Sequence, residues 1–277
     1  MKTLLFTLLL ATSAVAQPVV GPEVASAPLP SLGDFAVAPQ RDGFVIAWEQ
    51  GGRIYAGQLD SSLHLTAAPL ELPVTDSRAV ASSPAIASDG TTVLVAWHEL
   101  MISETNAVAL LTPDAQLLLR GPQQLNVSPK PPLATTSNGR YVVYSDELRY
   151  GFNDALERVS FDSIPRAMSA AISTTGDVAT ASEDDGVFAL YSIAAPINAD
   201  AAIAGNGSDI VVAWVDGHGV IVHADRQPEP FAFSDRIVED LHLIAAGSNT
   251  FVVFYRASGS LAGRVIHFQP SRQRAVR

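Results

Sequence analysis

Hydrophobic residues in this chain come in short runs of β-branched and aromatic side chains, each preceded by a polar turn. The clearest case is Pro84-Ala-Ile-Ala-Ser-Asp-Gly-Thr-Thr-Val-Leu-Val-Ala-Trp97. A short apolar pair, Ile86-Ala87, leads into a Gly-containing turn, and a run apolar at every position follows and ends in an aromatic. The same grammar recurs from Phe35 to Trp48, Pro132 to Tyr144, Ala171 to Ala181, Ala202 to Trp214 and Leu243 to Tyr255, which makes six copies. Their turns contain Asp42-Gly43, Asp89-Gly90, Asn138-Gly139, Gly176-Asp177, Asn206-Gly207 and Gly247-Ser248-Asn249. Gly and Asn supply the positive φ that tight hairpin turns need, so each copy predicts strand, turn, strand. None of the six shows the three-to-four-residue spacing of a helix. A second strand that is apolar on both faces is expected where sheets stack on neighbouring sheets.

All three tryptophans, Trp48, Trp97 and Trp214, end such a run, with Tyr144 and Tyr255 ending two more and Ala181 ending the weak fourth. Successive spacings of 49, 47, 37, 33 and 41 residues lie around the roughly 40 to 50 residues of a four-stranded propeller blade. The expected fold is therefore all-β, a single six-bladed β-propeller, with a five-bladed or irregular ring as the alternative because the fourth repeat is short and lacks its aromatic. Repeats one and two continue into two further strand-like runs, whereas the sixth has one, from Ser260 to Phe268, before Pro270. The segment from Val19 to Ala27 is expected to supply the missing outer strand of the last blade, closing the ring with strands from both ends of the chain and removing an open edge.

The first residues change the picture of where this happens. Met1-Lys2, an apolar stretch from Leu4 to Leu10 and the small residues Ala14-Val15-Ala16 have the layout of a secretory signal peptide. Cleavage is expected after Ala16, giving a leader over 1–16, a propeller over 17–270 and a basic tail over 271–277. The run is about half the ~20 apolar residues of a membrane span, and no later segment is longer. A secreted or periplasmic, monomeric protein is the expectation. It has no cysteine, so no disulfide reinforces it. Losing Lys2 takes the formal charge from −11 to −12, a surface that repels nucleic acid and anionic lipid.

On these repeats the chain resembles the secreted bacterial β-propeller proteins of the form P-x-[IV]-A-x-[DN]-G-x-x-[FLV]-[LV]-V-x-W, most cleanly in the second and fifth copies. The resemblance implies fold and export. Propellers host hydrolases, lectins, lyases and interaction scaffolds, so it implies little about chemistry.

No G-x-S-x-G, H-E-x-x-H or Walker sequence occurs. Glu183-Asp184-Asp185-Gly186 lacks carboxylates at the first and last positions of a calcium loop, Ala181 and Ser192. The repeats share polar content in one place, the loop after the aromatic: Glu49, His98-Glu99, Asp146-Glu147, Glu183 to Asp185, Asp216 with His218, and Arg256. In a propeller these loops surround one mouth of the central channel. Two functions follow. The first is a non-enzymatic binding scaffold without a cofactor, contacting a protein or glycan partner through variable loops such as Leu100 to Thr105 and Tyr150 to Ala155. The alternative is a divalent-metal hydrolase or lactonase in which Glu49, Glu99, Asp146 and Asp216 hold the cation and His98 or His218 moves protons.

Overall fold

The structure, a computed structural model, describes residues 18–25, 32–128, 131–137, 140–145, 148–163, 169–172, 178–181, 187–190, 193–196, 201–205, 210–216, 219–224, 230–233, 238–247, 249–258 and 260–268. The leader and the basic tail lie outside these residues.

Two short strands open the described chain, β1 (Val19–Val20) and β2 (Val24–Ala25). Blade one contains β3 (Phe35–Gln40), β4 (Gly43–Gln50), β5 (Arg53–Leu59) and β6 (Leu70–Glu71). Blade two contains β7 (Val80–Ser88), β8 (Val93–Leu100), β9 (Glu104–Leu111) and β10 (Leu118–Val127). Blade three contains β11 (Leu133–Ser137), β12 (Arg140–Ser145), β13 (Leu148–Phe152) and β14 (Arg158–Ser163). The weak fourth repeat forms two hairpins, β15 (Ser169–Ile172) with β16 (Val178–Ala181) and β17 (Val187–Leu190) with β18 (Ile193–Pro196). Blade five contains β19 (Ala201–Gly205), β20 (Ile210–Asp216), β21 (Gly219–Ala224) and β22 (Phe231–Phe233), and blade six β23 (Glu239–Gly247), β24 (Thr250–Ala257) and β25 (Ser260–His267). The first strands of the blades, β3, β7, β11, β15, β19 and β23, each neighbour the next, and β23 neighbours β3. The ring of six is closed.

Its closure uses both ends of the chain, as the strand count predicts. One edge of β25 pairs with β24, and the other pairs with β1 through Val19↔His267 and Val20↔Ile266 and with β2 through Val24↔Gly263 and Ala25↔Ala262. Between the two short strands the Gly21 N–H still donates to the Val265 carbonyl at 2.8 Å. Glu23 then ties the segment down: Tyr255 Oη donates to its Oε2 at 2.7 Å, and the Arg264 guanidinium lies 3.7 Å from the same oxygen while donating to the Gly21 carbonyl at 3.3 Å.

The core lies between blades, and this explains why the second strands are apolar throughout. On β8, Val93, Val95 and Trp97 enter the layer shared with blade one, while Leu94 and Ala96 enter the layer shared with blade three. Trp48 and Tyr255 likewise face the preceding blade, among Ile46 and Phe254 and among Val253 and Phe251 respectively.

Tyr144 departs from this rule. It clusters with Val142 and Leu133, whereas Tyr141, Val143 and Ala134 take the face toward blade two. Tyr144 pairs with Leu133, while Trp48 pairs with Phe35, which faces the preceding blade. A one-residue offset sends a strand side chain to the opposite face. The residue in the tryptophan position of blade three is Ser145, which is fully buried.

Candidate functional site

The first strands of the blades enclose a central channel with a cavity of about 260 Å³. Its wall is small and aliphatic, with Ala36, Ala38, Ala85, Ala87, Ala134 and Ala204 among its residues. No described wall residue is charged, and His242 is the one ionisable group among them. Its ring packs on Phe35 of blade one with centroids 4.6 Å apart. Burial pushes the imidazole down to about 4, against the opposing effects of the Asp34 carboxylate and a hydrogen bond with the Phe35 backbone.

Of the candidate acids in the loops after the aromatics, the two whose side chains are described, Glu49 and Glu99, are each engaged within the fold. Glu49 is half-buried, and its Oε1 accepts the Gly52 N–H at 2.7 Å, closing the Gly51-Gly52 turn between β4 and β5. Gly33 lies so close that a Cβ there would collide with Glu49 Oε2. Glu99 is fully buried. Its Oε1 accepts from Trp97 Nε1 at 2.8 Å and from the Thr75 N–H at 2.9 Å, and its Oε2 accepts the Thr75 hydroxyl. Alternation along β8 puts Glu99 on the same face as Trp97, where it anchors the indole and the loop entering blade two. Arg256 donates to the Leu32 carbonyl at 3.0 Å and pairs with Glu239 at 3.2 Å and Asp240 at 2.6 Å, linking blade six to the start of blade one.

Of the other candidates, Asp216 ends β20, its backbone opposite Gly219, whereas Asp146 and His218 lie outside the described residues, as do Glu147 and Glu183 to Asp185. His98 is half-buried with Nδ1 3.1 Å from Asn106 Oδ1. Among the described residues, no three histidine or carboxylate side chains lie where they could share a metal ion. Asn106, which meets His98, and Asn126, which accepts from Ser145, are not legible as a cluster in the sequence, because they belong to no repeated motif. The missed signal is Ser145 itself, a small polar residue thirteen positions after Pro132, where Trp97 stands thirteen after Pro84.

Six blades around an uncharged shaft, five of them complete sheets, the fourth described as two hairpins and the last completed by the N-terminal strands, define a six-bladed β-propeller. Solved structures with a similar fold include a protein of unknown function from Dyadobacter fermentans DSM 18053, similar at a TM-score of 0.62 and 11% identity over 91% of this chain and 99% of that one. The WD40 domain of coronin from Toxoplasma gondii is similar at 0.54 and 12% identity, over 94% and 90% of the two chains. The six-bladed fucose-recognising lectin of the fungus Aleuria aurantia is similar at 0.50 and 14%, over 85% and 92%. At these identities the likeness concerns the fold alone. No family model and no curated protein matches the chain.

Proposed function

We propose that this protein is an exported, non-enzymatic propeller that serves as a binding scaffold in the periplasm or outside the cell. The observation that supports this reading is the engagement of the described charges that follow the repeat aromatics. Glu49 closes a turn, Glu99 holds an indole and a backbone amide, and Arg256 joins two blades. Groups fixed in this way make the ring rigid, and a rigid ring carrying variable loops presents a surface to a partner. The signal-peptide layout from Met1 to Ala16 supports export.

Thermal unfolding of the chain from Gln17 to Arg277, after EDTA treatment and with millimolar Ca2+, Mg2+, Mn2+ or Zn2+, tests the reading. A scaffold unfolds at the same temperature with each ion. An ion bound to the folded state at a hundred times its Kd would add about 2.7 kcal/mol of stability. A shift of that size that disappears in an Asp146→Asn, Asp216→Asn variant would replace the scaffold with the metal-dependent hydrolase.

A further inference from the structure

The layer between blades two and three differs from the other layers described above. Where other layers receive Trp48, Trp97 or Tyr255, this one receives Ser145, and side chains from blade two complete it. Asn106 Nδ2 donates to Ser145 Oγ at 2.6 Å, and Ser145 Oγ donates to Asn126 Oδ1 at 2.7 Å. Asn106 and Ser145 are both fully buried. With its amide nitrogen turned to Ser145, Asn106 presents Oδ1 to His98 Nδ1 at 3.1 Å. An oxygen acceptor there requires a proton on Nδ1, so the relay selects the Nδ1–H tautomer and leaves the His98 Nε2 lone pair as an acceptor. The opposite polarity, with both amides reversed, would put the proton on Nε2.

The same strand runs out into an apolar tip. Leu100 is 48% exposed and Ile102, in the β8–β9 turn, is 99% exposed; Val80, paired with Leu100, is 51% exposed. Exposed aliphatic groups gathered at one edge mark contact surfaces. Glu104, whose backbone pairs with Leu100 at the start of β9, adds a part-exposed carboxylate to this tip, and with the chain's formal charge of −11 it favours a basic partner over a second copy of the chain.

Resting on the scaffold reading, we infer that this end of blade two docks a basic polypeptide segment. The segment places an aliphatic side chain against Leu100 and Ile102 and donates an N–H or O–H to His98 Nε2. The oriented imidazole fixes the segment's position, and the exposed side chains supply buried area.

Two measurements on the chain from Gln17 to Arg277 test this. Long-range ¹H–¹⁵N correlation spectra are expected to show the His98 proton on Nδ1 and to lose that preference in Asn106→Leu; a proton on Nε2 in the native protein overturns the relay. Panning a phage-displayed random peptide library is expected to enrich peptides that combine Lys or Arg with aliphatic residues. Their binding should weaken at least tenfold in Ile102→Ser and in His98→Phe, and it should weaken with salt. Ile102→Ser alters an exposed position, so its effect does not depend on a disturbed fold. No enrichment, or binding indifferent to both substitutions, overturns the docking surface. His98 resonances that move with neutral methyl glycosides instead would assign the site to glycans and overturn the polypeptide. Failure of the scaffold reading registers separately, as stabilisation by a metal ion.

Discussion

Glu49 and Glu99 follow the aromatics of two successive repeats, yet they perform different tasks. Glu49 comes one residue after Trp48 and caps a turn; Glu99 comes two after Trp97 and therefore shares its face and its burial. His242 gives this scale a pH signature. Its imidazole titrates at about 4 in the fold against 6.5 ordinarily, so on acidification the unfolded chain takes up the proton first. Stability is lost as the pH falls from about 7 to about 4, by at most about 3 kcal/mol. In His242→Gln that part of the loss is expected to vanish, as read from urea unfolding at pH 7 and pH 4.5; an identical pH dependence in the two proteins would contradict the burial of the ring. Much of this scale was hard to read from the chain. The repeated turns and apolar runs were plain, but reading Tyr144 as an aromatic of the repeat followed hydrophobicity and not register. Counting from Pro132 leads to Ser145 instead. Nor does a sequence show whether an acid at a strand end faces solvent or a buried indole.

At the scale of elements, the informative feature is the pair of two-residue strands β1 and β2, which complete blade six. Strand counting foresaw them, since the sixth repeat has too few strands of its own. It could not foresee Glu23, whose role depends on Tyr255 and Arg264, more than 230 residues away. Burial and the hydrogen bond to Glu23 push the Tyr255 phenol up to about 12, with Arg264 opposing. In Glu23→Ala the phenol is expected to titrate lower, visible in a pH titration of tyrosinate absorbance. Unfolding should be easier by about 2 kcal/mol, the order expected when hydrogen bonds to a charged group are removed. An unchanged phenol together with unchanged stability would mean that the N-terminal segment is not held at β25.

At the scale of the molecule, six blades surround a shaft whose described wall carries no charged side chain, and the described layers between blades form the core. The fold was legible because a sheet buried on both faces imposes an unusual pattern, apolar at consecutive positions, and the chain repeats it. Function was much less legible, because the loops that would carry it share only charge. Glu49 and Glu99 serve the fold, one closing a turn and the other holding an indole and a backbone amide. The most direct test is urea unfolding, in EDTA, of a Glu49→Gln, Glu99→Gln variant. A loss of about 2 kcal/mol or more is expected, since charge-assisted hydrogen bonds to Gly52, Trp97 and Thr75 are weakened. Acids gathered to hold a cation repel one another when it is withdrawn. A variant more stable than the native protein in EDTA would therefore contradict that role and restore the mouth as a cation site.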